Sequence, residues 1–260
     1  MGIAGLIMQS LSRNKFVSPT TAGTLDAAKL GVVVSMVFFS GMSYMGQILF
    51  SFAFALIGTY FFMMLLERIK FKDVIFVPLI GIMYGNVIGA ISTFIGYEAD
   101  VLQNVQTFFQ GSFTLIVSGR YELLYAAVPA IILAYLYANK FTVAGMGADF
   151  AKNLGLSYKT VLNIGLVLVA IISTIVLLTV GMIPFLGLIV PNLVSLYLGD
   201  NLRKTIPHTI FMGSAFLLAC DIISRIIVHP FEIPVNTTVA VIGSAVFLIM
   251  LFRGKAYAKK

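Results

Sequence analysis

Long apolar stretches recur along this sequence and constrain its fold more than any other feature. A helix that crosses a membrane needs about 20 mainly apolar residues. Eight stretches of that kind are predicted as spans, at 22–41, 46–66, 74–96, 121–138, 160–180, 184–198, 207–228 and 234–252. A shorter apolar piece at 2–11 resembles the end of a further span. The sequence therefore predicts an all-α integral membrane protein, a polytopic helical bundle with about eight full spans and a partial one.

Composition excludes the water-soluble classes of protein. Hydrophobic residues make up 60% of the 260 residues and charged residues only 10%, whereas soluble proteins average about 45–50% apolar and about 25% charged. A net charge of +7 would favour a nucleic-acid partner only if the basic residues gathered on one soluble face. His208 and His229 are too few and too far apart in sequence for a histidine metal site. No nucleic acid, metal or cofactor is expected.

The basic residues indicate the topology. Most of the 17 Lys and Arg residues fall in alternate connecting segments, at 12–20, 67–73, 139–159, 199–206 and 253–260. Cytoplasmic loops of membrane proteins carry an excess of Lys and Arg. The charge pattern therefore predicts a multi-pass protein with these segments and the C-terminus in the cytoplasm.

Two predicted spans carry polar side chains whose role the spacing alone leaves open. Asp221 and Arg225 are four residues apart, so they share a helix face, and a structural ion pair is favoured over a functional relay or substrate contact. Asn86 and Thr93 also share a face, next to Ser92, and could line a pathway or make interhelical contacts. Small residues at every fourth position let helices approach closely, and the same span contains Gly81, Gly85 and Gly89.

Two connecting segments show helical patterns of their own. In 97–120 an apolar stripe of Leu102, Val105, Phe108 and Phe109 opposes several glutamines, which predicts an amphipathic helix at the outer surface or a lid over the bundle. In 139–159 a short helix is predicted from about Ala148. The helix is predicted to end at Gly155. Its role has two interpretations, a docking element for a partner or an ordinary connector.

Several segments, in this order along nearly the whole chain, then resemble a known family. They are the G-L-I-M-Q and R-N pieces within 5–19, F-F-Q-G-S-F at 108–113, L-G-L at 154–156, G-M-I-P-F-L-G-L-I-V-P at 181–191, D-x-x-x-R at 221–225 and P-F-E-I-P-V at 230–235. Together they resemble the iron-siderophore and vitamin B12 permease family (FecCD type) of bacterial ABC importers. Asn192 and Ser195 stand where that family commonly has His and Arg, which leaves the substrate open.

The resemblance implies a fold, a location and partners. Residues 1–260 would form a single permease domain of the type II ABC importer kind, which has ten spans, with the first span and part of the second missing here. It would lie in lipid in the bacterial cytoplasmic membrane as a transport subunit and not an enzyme. Its partners would be ABC ATPase subunits, a periplasmic or lipid-anchored siderophore-binding protein, and an identical or related second permease subunit. The expected substrate is a ferric siderophore of catecholate or mixed type.

The resemblance also implies roles for particular residues. Residues that couple the permease to the ATPase would be Gly147, Ala148, Asp149, Leu154, Gly155 and Leu156. The loop that helps to close the cytoplasmic gate would contain Arg13, Asn14, Phe16, Ser18 and Pro19. Asn86, Ser92 and Thr93 become candidates for the pathway lining, and Asp221 with Arg225 remains a structural pair.

The alternative is a secondary transporter of another small solute. Such a protein needs a coupling-ion site, typically with carboxylates or broken helices at the midplane of the membrane. Asp221 is the one carboxylate that the sequence suggests for that site, and it has its own arginine partner. The chain has no G-x-x-x-x-G-K-[ST] motif, so ATP would have to be held by another subunit.

Overall fold

The computed structural model describes residues 1–68, 76–114, 116 and 121–257. Its helices are α1 Gly2–Leu11, α2 Thr24–Phe38, α3 Tyr44–Arg68, α4 Phe76–Glu98, α5 Leu102–Phe109, α6 Ala127–Leu136, α7 Ala138–Gly145, α8 Ala148–Asn153, α9 Tyr158–Val180, α10 Leu186–Leu198, α11 Leu202–Ile226 and α12 Val235–Tyr257. Short 3-10 turns occupy Pro19–Ala22 and Glu122–Ala126. Part of the basic loop near 67–73 and the end of the basic tail lie outside the described residues.

Four of the eight predicted spans are single helices long and apolar enough to cross a membrane, namely α3, α4, α9 and α11. The stretch predicted at 121–138 instead continues into α7 as a pair of helices bent by 58°. The stretches at 22–41 and 184–198 form helices of 15 and 13 residues. The apolar part of α12, Val235–Met250, is shorter than the four helices that are long enough to cross a membrane.

Backbone geometry explains why two of these helices are short. Gly23 has a φ of 68° and ends the 3-10 turn before α2, and Phe39 leaves the helical conformation at the other end. Gly181 and Phe185 have φ values of 88° and 61°, so the chain between α9 and α10 is not helical. An average of hydropathy over a window of residues does not detect such breaks in a helix.

Helix α9 forms the centre of the bundle. We compare an apolar 18-residue stretch of each long helix. The buried share of that stretch is 67% in α9, against 33% in α3, 22% in α4 and 17% in α11. Helices α1, α2, α3, α6 and α7 all pack against it. A separate apolar cluster joins α10, α11 and α12. The long faces of α4 and α11 are therefore left to lipid or to other subunits.

The glycines of α4 serve close helix packing. A Cβ on Gly23 would lie 3.1 Å from the Gly85 nitrogen and 3.2 Å from the Gly81 oxygen, so the start of α2 rests directly on the α4 backbone. A Cβ on Gly85 would lie 2.5 Å from Oδ2 of Asp26. These contacts support the close helix packing that the spacing of the glycines predicts.

Candidate functional site

The segment from 12 to 23 runs from the end of α1 back into the bundle. We call it the re-entrant loop. Its Pro19 ring lies 2.7 Å from the position of a Cβ on Gly187, in the first turn of α10. Its last residue, Gly23, rests on α4 as described above. The loop thus separates α4 from α10, and the absence of a side chain at Gly187 makes room for it.

Within this loop, the predicted gate residues occupy distinct environments. Arg13 has a φ of 50°, and the Asn14 side-chain oxygen accepts a hydrogen bond of 2.9 Å from the Phe16 backbone nitrogen. Phe16 is 60% exposed, and its ring meets Phe247 edge to face at 6.1 Å. Ser18 caps the 3-10 turn that begins at Pro19. The loop therefore presents an aromatic side chain at an open surface of the described chain.

A buried amide attaches the loop to α10. Asn192 Nδ2 donates to the Lys15 carbonyl at 2.7 Å and to the Leu188 carbonyl at 2.8 Å. Gln9 Nε2 donates to the same Leu188 carbonyl at 3.3 Å. Lys15 Nζ also pairs with Asp200 at 2.9 Å, but both side chains are more than half exposed. Sequence reasoning noted Asn192 only as a departure from the family pattern.

Removal of the Asn192 amide should loosen the loop, whereas removal of the Lys15 ion pair should not. Asn192→Ala removes the hydrogen bond from this buried amide to the Lys15 carbonyl, a loss of about 0.5–1.5 kcal/mol. Lys15→Ala removes an exposed ion pair, which contributes about 0–1 kcal/mol. Limited proteolysis of the purified protein should cleave the Asn192→Ala loop faster than the wild-type loop. Equal cleavage of the two variants would contradict this assignment.

The predicted coupling residues lie together in one compact segment around α8. Gly147, with a φ of 127°, precedes the helix, and Gly155, with a φ of 74°, follows it. The Gly155 nitrogen donates to the Lys152 carbonyl and the Leu156 nitrogen to the Ala151 carbonyl, both at 2.9 Å. This is the Schellman pattern, which favours glycine at the position after the helix end. The short helix predicted from Ala148 with a stop at Gly155 is confirmed.

This segment presents apolar side chains outward and contacts the end of α1 on its inner side. Phe150 is 44% exposed and Leu154 is 58% exposed, so the helix has an uncovered apolar surface. A Cβ on Gly145, at the end of α7, would lie 2.6 Å from Ser10 Oγ. A Cβ on Gly147 would lie 3.8 Å from the Arg13 guanidinium. The residues just before α8 therefore lie close to the end of α1 and the start of the re-entrant loop.

The predicted pathway residues are separated by the structure. Ser92 and Thr93 line a cavity of about 690 Å³ between α2, α4 and α5. Asn86 is exposed on α4 and does not line that cavity. Asp26 and Lys29 of α2 do line it, and sequence reasoning missed both. Charged residues three apart within an apolar stretch were the signal that could have found them, and Asp221 is therefore not the one intramembrane carboxylate to consider.

Helix α5 covers this cavity. Val105 and Phe109 are buried against the core, and Gln103 and Gln106 line the cavity from the polar side of the helix. The amphipathic helix predicted within 97–120 is confirmed. Its position over the cavity supports a lid.

A polar network ties α11 to the segment before α12. Arg225 Nε donates to Asp221 Oδ2 at 3.0 Å, and Arg225 Nη1 donates to Glu232 Oε1 at 3.4 Å. Thr114 Oγ1 donates to the other Glu232 oxygen. The Arg225 side chain is 43% exposed, which supports a structural role over a buried relay. Among the described residues no group of three His, Cys, Asp or Glu side chains is placed to hold a metal ion.

A helical bundle with several helices long and apolar enough to cross a membrane is the architecture of a multi-pass membrane protein. The chain belongs to the FecCD transport family, whose model matches residues 1–253. The resemblance seen in the sequence is thus confirmed, and the chain is a transport subunit and not an enzyme.

Individual relatives and a solved structure agree with that membership. The petrobactin import system permease protein YclN of Bacillus subtilis is 57% identical over 99% of this chain and 82% of its own length. The ferric-anguibactin transport system permease protein FatD of Vibrio anguillarum is 39% identical over 98% of this chain and 81% of its own length. The solved inward-facing structure of a metal-chelate type ABC transporter has a TM-score of 0.85 at 20% identity, over 96% of this chain and 82% of that one. The predicted fold class is confirmed.

Proposed function

We propose that this chain is the permease subunit of an ABC importer that carries a ferric siderophore across the bacterial cytoplasmic membrane. The observation that carries the proposal is the 57% identity, over 99% of this chain, to a petrobactin import permease. A second relative, from Bacillus anthracis, is also named for petrobactin import and is 42% identical over 97% of the chain. Ferric petrobactin is therefore the first substrate to test within the expected catecholate or mixed class.

The partners follow from the docking surface and the family. One ATPase subunit would bind at α8, where Phe150 and Leu154 are exposed, and another at the corresponding helix of the other permease subunit. A second permease subunit, identical or related, would complete the pathway, and a periplasmic or lipid-anchored binding protein would deliver the siderophore at the opposite side. The basic segments and the C-terminus would then lie in the cytoplasm.

The mechanism uses the contacts between α8 and the re-entrant loop. ATP binding would bring the two ATPase subunits together and shift α8. Because Ser10 packs against Gly145 and Arg13 lies near Gly147, both just before α8, the shift would move the loop that follows α1. For transport to be coupled, the siderophore must bind the two access states with different affinity. The chain itself would bind no nucleotide.

The test is iron uptake in bacteria that lack the native permease gene but retain the matching ATPase and binding protein. Cells expressing this chain should accumulate radioactive iron from ferric petrobactin, as cells expressing YclN do. ATP depletion should stop this uptake, whereas collapse of the proton gradient with ATP maintained should leave it intact. The opposite dependence would favour the secondary transporter. Absence of uptake with this chain, beside normal uptake with YclN, would contradict the substrate assignment.

A further inference from the structure

The cavity under α5 contains a lysine, Lys29, to which none of the assignments above gives a role. Lys29 lies on α2 and lines the cavity together with Ser92 and Thr93 of α4. A charged side chain within a membrane-embedded bundle is costly and usually faces a water-filled cavity or a specific partner. Within the described part of the chain no carboxylate lies at ion-pair distance from the Lys29 ammonium. The free-energy cost of placing this charged side chain within the bundle therefore needs an explanation.

The neighbouring carboxylate does not neutralise it by direct contact. Asp26 is three residues earlier on the same helix, on the side where α2 meets α4. A Cβ on Gly85 would lie 2.5 Å from Asp26 Oδ2, and one on Gly89 would lie 3.7 Å from Oδ1. Asp26 is thus packed against the glycines of α4. It lowers the cost of the nearby ammonium through the field of its charge.

The rest of the lining combines neutral polar side chains with apolar ones. Helix α5 contributes Gln103, Gln106 and Thr107, and Gln110 follows it. These amides and hydroxyls can donate hydrogen bonds, each with a net contribution of about 0.5–1.5 kcal/mol. The cavity of about 690 Å³ thus combines the opposite charges of Lys29 and Asp26 with several weak donors and apolar side chains. Such a surface suits a large anion rich in oxygen atoms that must bind and then leave again.

We propose that Lys29 is a substrate-contact residue of the transport pathway and that its ammonium meets the anionic oxygens of the ferric chelate as the chelate passes α5. This inference rests on the proposed function, because catecholate and carboxylate groups are deprotonated when they bind Fe³⁺. The nearby Asp26 carboxylate weakens the attraction of the ammonium for the anion, so that the substrate is not retained.

The first test compares two substitutions in the complete transporter, reconstituted in lipid vesicles with its ATPase and binding protein. The probe is ferric petrobactin with radioactive iron. Lys29→Gln, which keeps length and polarity, should lower the uptake rate about tenfold, as expected for one lost charged contact. Lys29→Arg keeps the charge and should retain most of the wild-type rate. Subunit assembly, judged by co-purification of the ATPase, should be the same in all three.

A second test measures whether the substrate occupies this position. Cys220 is the chain's single cysteine, so Lys29→Cys in a Cys220→Ser background gives one thiol in the cavity. A negatively charged methanethiosulfonate reagent should modify that thiol, and ferric petrobactin supplied with the binding protein should slow the reaction. Val32→Cys in the same background is the control, since Val32 is fully buried on the same helix and should not react.

The outcomes separate the two proposals. If the wild-type complex transports no ferric siderophore, the proposed function fails and this inference fails with it. If the wild-type complex transports while Lys29→Gln keeps the full rate, the role of Lys29 alone is overturned. Modification of Lys29→Cys at a rate that the substrate does not change would overturn it as well.

Discussion

Replacement of Gly5 by alanine should sharply lower the amount of folded protein in the membrane and its thermal midpoint. The added methyl group would be placed onto the backbone carbonyl of Gly187, 2.7 Å from its carbon. The methyl group would meet backbone atoms, which cannot rotate away as a side chain could, so α1 and α10 would have to separate. Overpacking of this kind costs about 1–3 kcal/mol, and occasionally more. A loss of that size is a large fraction of a typical folding stability of about 5–15 kcal/mol.

The matched control is Gly213→Ala on α11. A Cβ at that position would lie 3.6 Å from Val190 Cγ1, an ordinary van der Waals contact. Membrane yield and the thermal midpoint in detergent should therefore stay near wild type for Gly213→Ala and fall sharply for Gly5→Ala. Equal midpoints for the two variants would show that α1 and α10 do not pack as described.

A Leu154→Asp substitution should abolish ATP-driven uptake while leaving the permease folded. Leu154 is 58% exposed at the end of α8, so its replacement disturbs little inside the chain. If the ATPase covers this side chain, the loss of the apolar contact alone costs about 1.5–3 kcal/mol of binding free energy. The buried aspartate adds a desolvation penalty to that loss. Co-purification of the ATPase with the permease should disappear together with uptake.

The control for this substitution is Asn153→Asp. It introduces the same charge one residue earlier, at an exposed polar position of the same helix. Near-normal ATPase binding is expected for this variant, because no apolar contact is removed. If both variants lost the ATPase equally, charge and not apolar contact would govern the interface. If both kept it, α8 would not be the docking element.

Local signals were enough to predict the short helices outside the spans. The start of α8 near Ala148 and its stop at Gly155 follow from residues within one turn of each end. The amphipathic helix α5 follows from the spacing of Val105 and Phe109 against glutamines. Such features depend on residues that are neighbours in sequence, so they can be predicted from the sequence pattern alone.

Contacts between distant segments could not be predicted in this way. Asn192 and Lys15, whose hydrogen bond attaches the re-entrant loop, are 177 positions apart. The meeting of Gly5 with Gly187 likewise depends on how α1 and α10 are placed by the rest of the bundle. Hydropathy averages also hid Asp26 and Lys29, because two charges change little in a 20-residue window that is otherwise apolar.

The central position of α9 has a consequence for how the chain is built into its membrane. Helix α2 has 15 residues and is about 22 Å long, short of the ~30 Å hydrocarbon core. Its backbone ends must be satisfied by protein and not by lipid. Yet α2 is synthesised before α9, against which it packs, while α9, with a mean hydropathy of 2.8, is the most apolar of the long helices. Because α3 and α4 follow α2 directly and pack most extensively against it, they cover α2 first, and α9 completes the bundle around it afterwards.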